Sequence, residues 1–207
     1  MYEYRALIAL VALIVVVVGM HLAGVDAKAF GYERNELRVE PWRALTHSLV
    51  HINQYQLAVS VTTLVALYFL FSGSFISLWW VAALFASSAA AAYGALYYSP
   101  TLNWSAGMYP ALHGLFLYTA LRVRANPIWI VLLGIKLLLE QTGVLVENSQ
   151  IDAVLPNSMR YYSMVFLVDN PKAVDANLWG AAGGLFFYFL IRSIANTRQF
   201  LTVALER

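Results

Sequence analysis

Apolar residues in this chain fall into six long runs rather than the alternating or amphipathic patterns of a soluble fold. The runs cover approximately 6–22, 57–71, 76–97, 109–123, 127–144 and 176–194. Each is long enough, or nearly so, to cross a hydrocarbon core of about 30 Å as a helix. The second and fourth are near the lower limit and need their polar flanks close to the interface. The pattern predicts an all-α membrane protein, one six-helix domain over 1–207. Two connections are long, 24–54 and 147–175, and both fall on the same side. Loops of this length pack on the membrane face or carry function. Phe30, Tyr32, Trp42, Tyr161, Tyr162 and Phe166 suit the headgroup level, where aromatic side chains anchor membrane proteins.

Composition agrees with a bilayer environment. Of 207 residues, 61% are hydrophobic and 12% charged, against roughly 25% charged in soluble domains; mean hydropathy is +0.66. The first run follows Arg5 and precedes Val25-Asp26-Ala27, a passable cleavage site, but its length favours a retained anchor over a signal peptide. A net charge of +2 gives no electrostatic footprint for nucleic acid. The absence of cysteine excludes disulfides, cysteine-based zinc sites and a cysteine nucleophile. No acidic residue accompanies His47 and His51 at metal-ligand spacing, and neither metal nor cofactor is expected. These two histidines are expected to order the first loop, and His21 to lie at the interface.

Basic residues divide evenly if the N-terminus is inside. Arg5, Arg122, Arg124, Arg192, Arg198 and Arg207 then lie on the cytoplasmic side, and Lys28, Arg34, Arg38, Arg43, Arg160 and Lys172 opposite. The first set flanks helices on short segments, where the positive-inside bias is strongest, so both termini are expected in the cytoplasm. Lys136 and Glu140 stand inside the fifth run, four residues apart. Ionisable groups at membrane depth pair or face a cavity. An intrahelical ion pair and a contact to a partner helix or polar tail are both open. Small residues over 86–94 and at Gly180, Gly183 and Gly184 allow close helix packing.

Three ordered segments carry a resemblance. Trp42-Arg43-Ala44-Leu45-Thr46-His47-Ser48-Leu49-Val50-His51 resembles the first-loop-to-second-helix signature of the rhomboid intramembrane serine proteases. Trp104-Ser105-Ala106-Gly107-Met108-Tyr109-Pro110-Ala111-Leu112-His113-Gly114-Leu115 is similar to the stretch around that family's Gly-x-Ser-Gly nucleophile motif. Asn177-Leu178-Trp179-Gly180, followed by Gly184, resembles its His-x-x-Gly-x-x-x-Gly helix. The Leu-His-Gly-Leu stretch at 112–115 is closest to the rhombosortases, the subgroup associated with GlyGly-CTERM protein tails. The resemblance covers 42–184 and implies a six-helix rhomboid-like bundle in a bacterial inner membrane.

It also implies that the chemistry is gone. Rhomboids use a serine at the mouth of the fourth helix and a histidine base on the sixth, with oxyanion donors from the second. The serine position falls on Tyr109, the histidine on Asn177, and the oxyanion positions on Gln56 and Ser60. A phenol of ordinary pKa about 10 is a poor nucleophile near neutrality, and an amide cannot accept the proton. Pro110 replaces the motif glycine and suits the first turn of a helix. Trp42, Arg43, His51, Gly107, Pro110, His113, Gly180 and Gly184 remain as structural or binding positions. His113 is expected to be a hydrogen-bonded histidine packed in the bundle. A dyad of Ser105 with His113 would span about two turns if helical. Tyr109 is expected to project toward Asn177, with that amide or Gln56 for its hydroxyl.

Three functions compete. The first is a non-catalytic rhomboid-like protein, a pseudoprotease, that binds a transmembrane helix. Its partner would be an active rhomboid-family protease processing the C-terminal tails of secreted or surface proteins, or such a tail itself. The second is an enzyme with rebuilt, non-serine chemistry on protein tails or lipids. The third is a small transporter, for which Lys136–Glu140 is the one hint, since neither inverted repeats nor broken helices are evident. Lipids are partners in every case.

Overall fold

A computed structural model of the chain describes residues 2–141 and 174–205, the side chains over a slightly narrower range. Among the described residues there are eight helices: α1 (Tyr2–Leu22), α2 (Ala27–Phe30), α3 (Arg43–Thr46), α4 (Gln54–Leu70), α5 (Trp79–Tyr98), α6 (Tyr109–Arg122), α7 (Ile128–Gln141) and α8 (Val174–Leu205). Three are long and apolar enough to cross a membrane, through the windows Tyr4–Leu22, Trp79–Tyr98 and Asp175–Thr197. The described parts of α4, α6 and α7 have 17, 14 and 14 residues. At 1.5 Å per residue they reach about 21–26 Å, short of an unthinned hydrocarbon core. The loop expected over 147–175 lies outside the described residues except for its last two positions. Residues 142–144, Arg160, Tyr161, Tyr162, Phe166, Lys172 and Arg207 lie outside them too.

The six runs and the long helices agree to within a few residues at every described boundary but one. α8 continues from the expected end at 194 to Leu205, because no Gly or Pro follows 194 to stop it. The all-α expectation also needs a small correction. Two-residue strands β1 (Tyr32–Glu33) and β2 (Trp104–Ser105) pair antiparallel, with Tyr32 opposite Ser105. That ladder ties the first loop to the segment leading into α6.

α5 is the central helix. In its spanning window 56% of residues are buried, against 17% in α1 and 22% in α8, which show their apolar sides outward. α6 and α8 close on α5 through residues without bulk. A Cβ at Gly184 would run into Gly114 O, and one at Gly180 into Pro110 O. One at Gly114 would strike Ser87 Oγ, and one at Gly94 the Trp179 ring. Tyr98 stacks on Trp179 at 4.6 Å. Backbones this close are the packing that small residues permit where no hydrophobic force drives association. The small-residue faces of α5 and α8 are therefore spent inside the bundle. This is the close helix packing that the sequence leads one to expect.

The first loop forms a cap at the end of the bundle where α5 finishes and α6 begins. The Arg34 guanidinium donates to Leu96 O at 2.6 Å, Ala95 O at 2.8 Å, Leu102 O at 3.2 Å and also to Ser99 O. It thereby supplies a donor to Leu96 O in the last turn of α5 and a second donor to Ala95 O and Ser99 O, which also accept from Ser99 N and Leu102 N. Arg43 pairs with Glu40 and donates to Lys28 O at 2.7 Å and Gly31 O at 3.0 Å. Ser88 Oγ on α5 donates to Ala44 O at 2.9 Å. Trp42, beside this knot, is half exposed.

Candidate functional site

α6 begins at Tyr109, with Pro110 in its first turn, where a missing N–H costs nothing. The turn before it is fixed from two sides. Gly107 has φ +122°, and a Cβ there would overlap the Gln56 amide, so glycine is required on both counts. Gly107 N donates to His47 O at 2.8 Å. Gln56 Nε2 donates to Ala106 O and Gln56 Oε1 accepts from Ile52 N, both at 2.8 Å. Gln56 thus adjoins the α6 mouth, but these donors serve the chain's own carbonyls. Ser60 is buried, and its Oγ has no hydrogen-bond partner among the described residues.

Around Tyr109, side chains of α6 and α8 meet the charged pair of α7. Lys136 Nζ lies 4.9 Å from the centre of the Tyr109 ring, a cation–π placement. It donates to His113 Nε2 at 2.6 Å and pairs with Glu140 Oε1. Glu140 Oε2 accepts from Asn177 Nδ2 at 3.4 Å. His113 Nδ1 stands 2.8 Å from Tyr109 O, and the Tyr109 and His113 rings meet edge-on at 4.7 Å. A carbonyl only accepts and an ammonium only donates. His113 is therefore a neutral imidazole with its proton on Nδ1 and its Nε2 lone pair engaged by Lys136. One chain of contacts runs Tyr109–His113–Lys136–Glu140–Asn177, across α6, α7 and α8.

A cavity of about 280 Å³ opens beside this chain, between α4, α6 and α7. From α6 it is lined by Tyr109, Leu112, His113 and Phe116, and from α7 by Trp129, Leu132, Leu133 and Lys136. Each set has the i, i+3, i+4, i+7 spacing of one helix face. Thr63 of α4 completes the wall. Phe71 packs edge-on against two of these lining rings, Phe116 at 5.5 Å and Trp129 at 6.4 Å.

Several sequence expectations change here. Lys136 and Glu140 do form the intrahelical pair, but Glu140 has no exposed side-chain surface and Lys136 keeps 31%. Glu140 therefore cannot contact a partner. The Tyr109 ring turns toward Lys136 of α7, and its link to Asn177 runs through the ion pair. Asn177 is buried on α8, and its Oδ1 lacks a hydrogen-bond partner among the described residues. Ser105 sits in β2, not one helix with His113, so the two-turn dyad has no basis. His47 orders the first loop, with Nδ1 3.0 Å from Arg43 O and 3.4 Å from Ser88 Oγ. His51 is buried in the same loop against the backbone at Leu49, with its ring nitrogens outside strict hydrogen-bond geometry among the described residues. Burial lowers both imidazoles to a pKa of about 4, with the His21 charge adding to the effect on His51. Gly180 and Gly184 are packing positions. Arg34 and Thr63 were missed. A loop arginine with no partner in its own sequence neighbourhood gives no local signal for a helix cap 61 to 68 residues away.

Among the described residues, this network places no nucleophile beside an unengaged base. Of the groups in the chain, His113 could take a proton only by displacing Lys136 from Nε2, and Asn177 cannot take one at all. Compared with known proteins, the chain matches no family model and no curated protein.

Proposed function

We propose that this chain is a rhomboid-like pseudoprotease closest to the rhombosortases, a six-span bundle of a bacterial inner membrane with both termini cytoplasmic. On this reading it binds a transmembrane helix and serves as accessory subunit to an active rhomboid-family protease that processes C-terminal tails. One observation carries the proposal. The positions of the expected Ser–His dyad, Tyr109 and Asn177, are both tied to the Lys136–Glu140 pair, whose carboxylate is wholly buried. A surface suited to a bound helix is the outer face of α7, beside the cavity. Leu132, Ile135 and Leu138 are about half exposed or more there, and the cavity can receive one projecting side chain. The glycine faces are excluded because α5, α6 and α8 use them on one another.

The test is genetic and biochemical together. Deletion of this chain is expected to abolish tail processing by the partner protease, with rescue by the wild type and by Tyr109→Phe alike. The protease is expected to co-purify in mild detergent. Unchanged precursor processing on deletion, with no membrane protein co-purifying, would sink the subunit reading.

A further inference from the structure

A second cavity, of about 290 Å³, lies at the end of the bundle away from the cap. Ala6 of α1, Tyr68 of α4, and Ser72, Gly73, Phe75 and Ile76 of the connection to α5 line it. Ala6 stands just inside the start of the α1 spanning window at Tyr4, and Ile76 just before that of α5 at Trp79. The cavity therefore sits at headgroup depth. It holds the volume of about ten water molecules at roughly 30 Å³ each. That is room for a phosphate carrying a small polyol, and not for a helix or an acyl chain. Ser72 and Gly73 are exposed and Tyr68 is half-buried. Among the described residues, neither the Tyr68 nor the Ser72 hydroxyl has a hydrogen-bond partner, so both can donate to a ligand.

Charge at this end has one prevailing sign. Arg5, Arg122, Arg124 and Arg192 stand there with Glu3, whereas Glu33, Glu36, Glu40 and Asp175 lie in or beside the cap. Arg122 donates to Tyr118 Oη at 2.6 Å and Arg192 to Tyr188 Oη at 3.2 Å. Arg124 is exposed, and its guanidinium has neither a hydrogen bond nor an ion pair among the described residues. It directly follows Val123, whose Cγ1 lies 3.3 Å from where a Cβ on Gly73 would stand in the cavity wall. Arg124 also has φ +52°, the left-handed position after a helix end that glycine fills without steric penalty. We propose that this cavity binds the headgroup of an anionic glycerophospholipid, its phosphate at Arg124 and its oxygens accepting from Tyr68 and Ser72. The acyl chains then lie outside, in the bilayer beside α1 and α4. The phosphate gains charge-assisted hydrogen bonds, and a zwitterionic headgroup would bring its own cation to an arginine. The site requires only that the chain spans a bilayer, and stands independently of the Tyr109 network.

The test is native mass spectrometry of the delipidated full chain in maltoside micelles, offered equal amounts of phosphatidylglycerol and phosphatidylcholine with the same acyl chains. One phosphatidylglycerol is expected to be retained first, with a preference of roughly tenfold or better. Arg124→Gly removes the charge and relieves the left-handed backbone. It is expected to keep or raise the thermal midpoint in lipid-free detergent while the two lipids become about equal. Arg124→Gln gives the same reading should the glycine variant fail to fold. Arg192→Gln, at the same end but outside the cavity lining, is expected to leave the preference unchanged. Equal retention of the two lipids by the wild type would overturn the proposal, as would a preference that survives in both Arg124 variants. An equal loss in the Arg124 and Arg192 variants, which is attraction to a diffuse basic surface, would overturn it too. Glycerol phosphate in millimolar excess that displaces the lipid would reassign the site to a soluble phosphate, and the lipid proposal fails.

Discussion

Replacing Lys136 with Met would remove the counter-charge of a carboxylate that has no exposed surface. Breaking a buried ion pair by deleting one partner costs about 3–5 kcal/mol, because the remaining charge is stranded. Lys136 is 31% exposed, so part of its charge is already screened and the lower end, about 3 kcal/mol, applies. His113 Nε2 loses its donor as well, adding about 1 kcal/mol. For a domain of this size each kcal/mol moves the thermal midpoint by about 2–4 °C. The expected fall is about 8–16 °C, read as loss of the monodisperse species on heating in mild detergent. Lys136→Met/Glu140→Gln is expected to recover more than half of it, since no bare carboxylate then remains. If Lys136→Met stays within about 1 kcal/mol of wild type, and the double variant is no better than the single, the pair is acting like an exposed one. The network argument would then fail.

Three further outcomes follow from the same geometry. Gly184→Ala puts a methyl on Gly114 O and is expected to lower the midpoint by the equivalent of about 1–3 kcal/mol. Gly134→Ala, which meets nothing within 4 Å, is expected to raise stability by about 0.5–1 kcal/mol, so equal effects of the two would refute the close approach. Arg34→Met uncaps α5, and faster amide exchange is expected over 98–102, at the frayed end of that helix, with little change at its centre. His47 and His51 titrate near 4 in the fold and near 6.5 unfolded. The unfolded chain therefore binds more protons below about 6.5, and stability falls as pH drops from there to about 4, by about 3 kcal/mol for each histidine. His47→Asn/His51→Asn is expected to flatten the midpoint–pH curve across that window, and an unchanged slope would contradict the burial of these rings.

The helices were legible because apolar runs bounded by polar loops are a local property, and the described boundaries moved by only a few residues. The extension of α8 was not, since its polar tail 195–205 carries no spanning signal and no stop signal either. Gln56 and Gly107 were singled out separately on the ordered motifs, and the structure places the two in contact. The part hidden from the sequence was the closure of the site. Lys136 and Glu140 read as an isolated pair four residues apart, because nothing local says that α7 turns that face toward His113 and Asn177. The same holds for glycines, whose spacing shows that a helix can pack closely but not against which neighbour. His51 was expected to order the first loop, and the fold buries its ring there against the backbone at Leu49.

The proposed function holds that Tyr109 and Asn177 stand where a rhomboid-like protease would keep its dyad, without performing that chemistry. Cleavage of a fluorogenic transmembrane substrate by the purified chain in proteoliposomes tests it most directly, with Tyr109→Phe alongside. The account predicts no turnover above empty liposomes for either protein: loss of serine or histidine alone costs a soluble protease about a million-fold, and here the oxyanion side chains differ as well. Turnover by the wild type that disappears in Tyr109→Phe would contradict it.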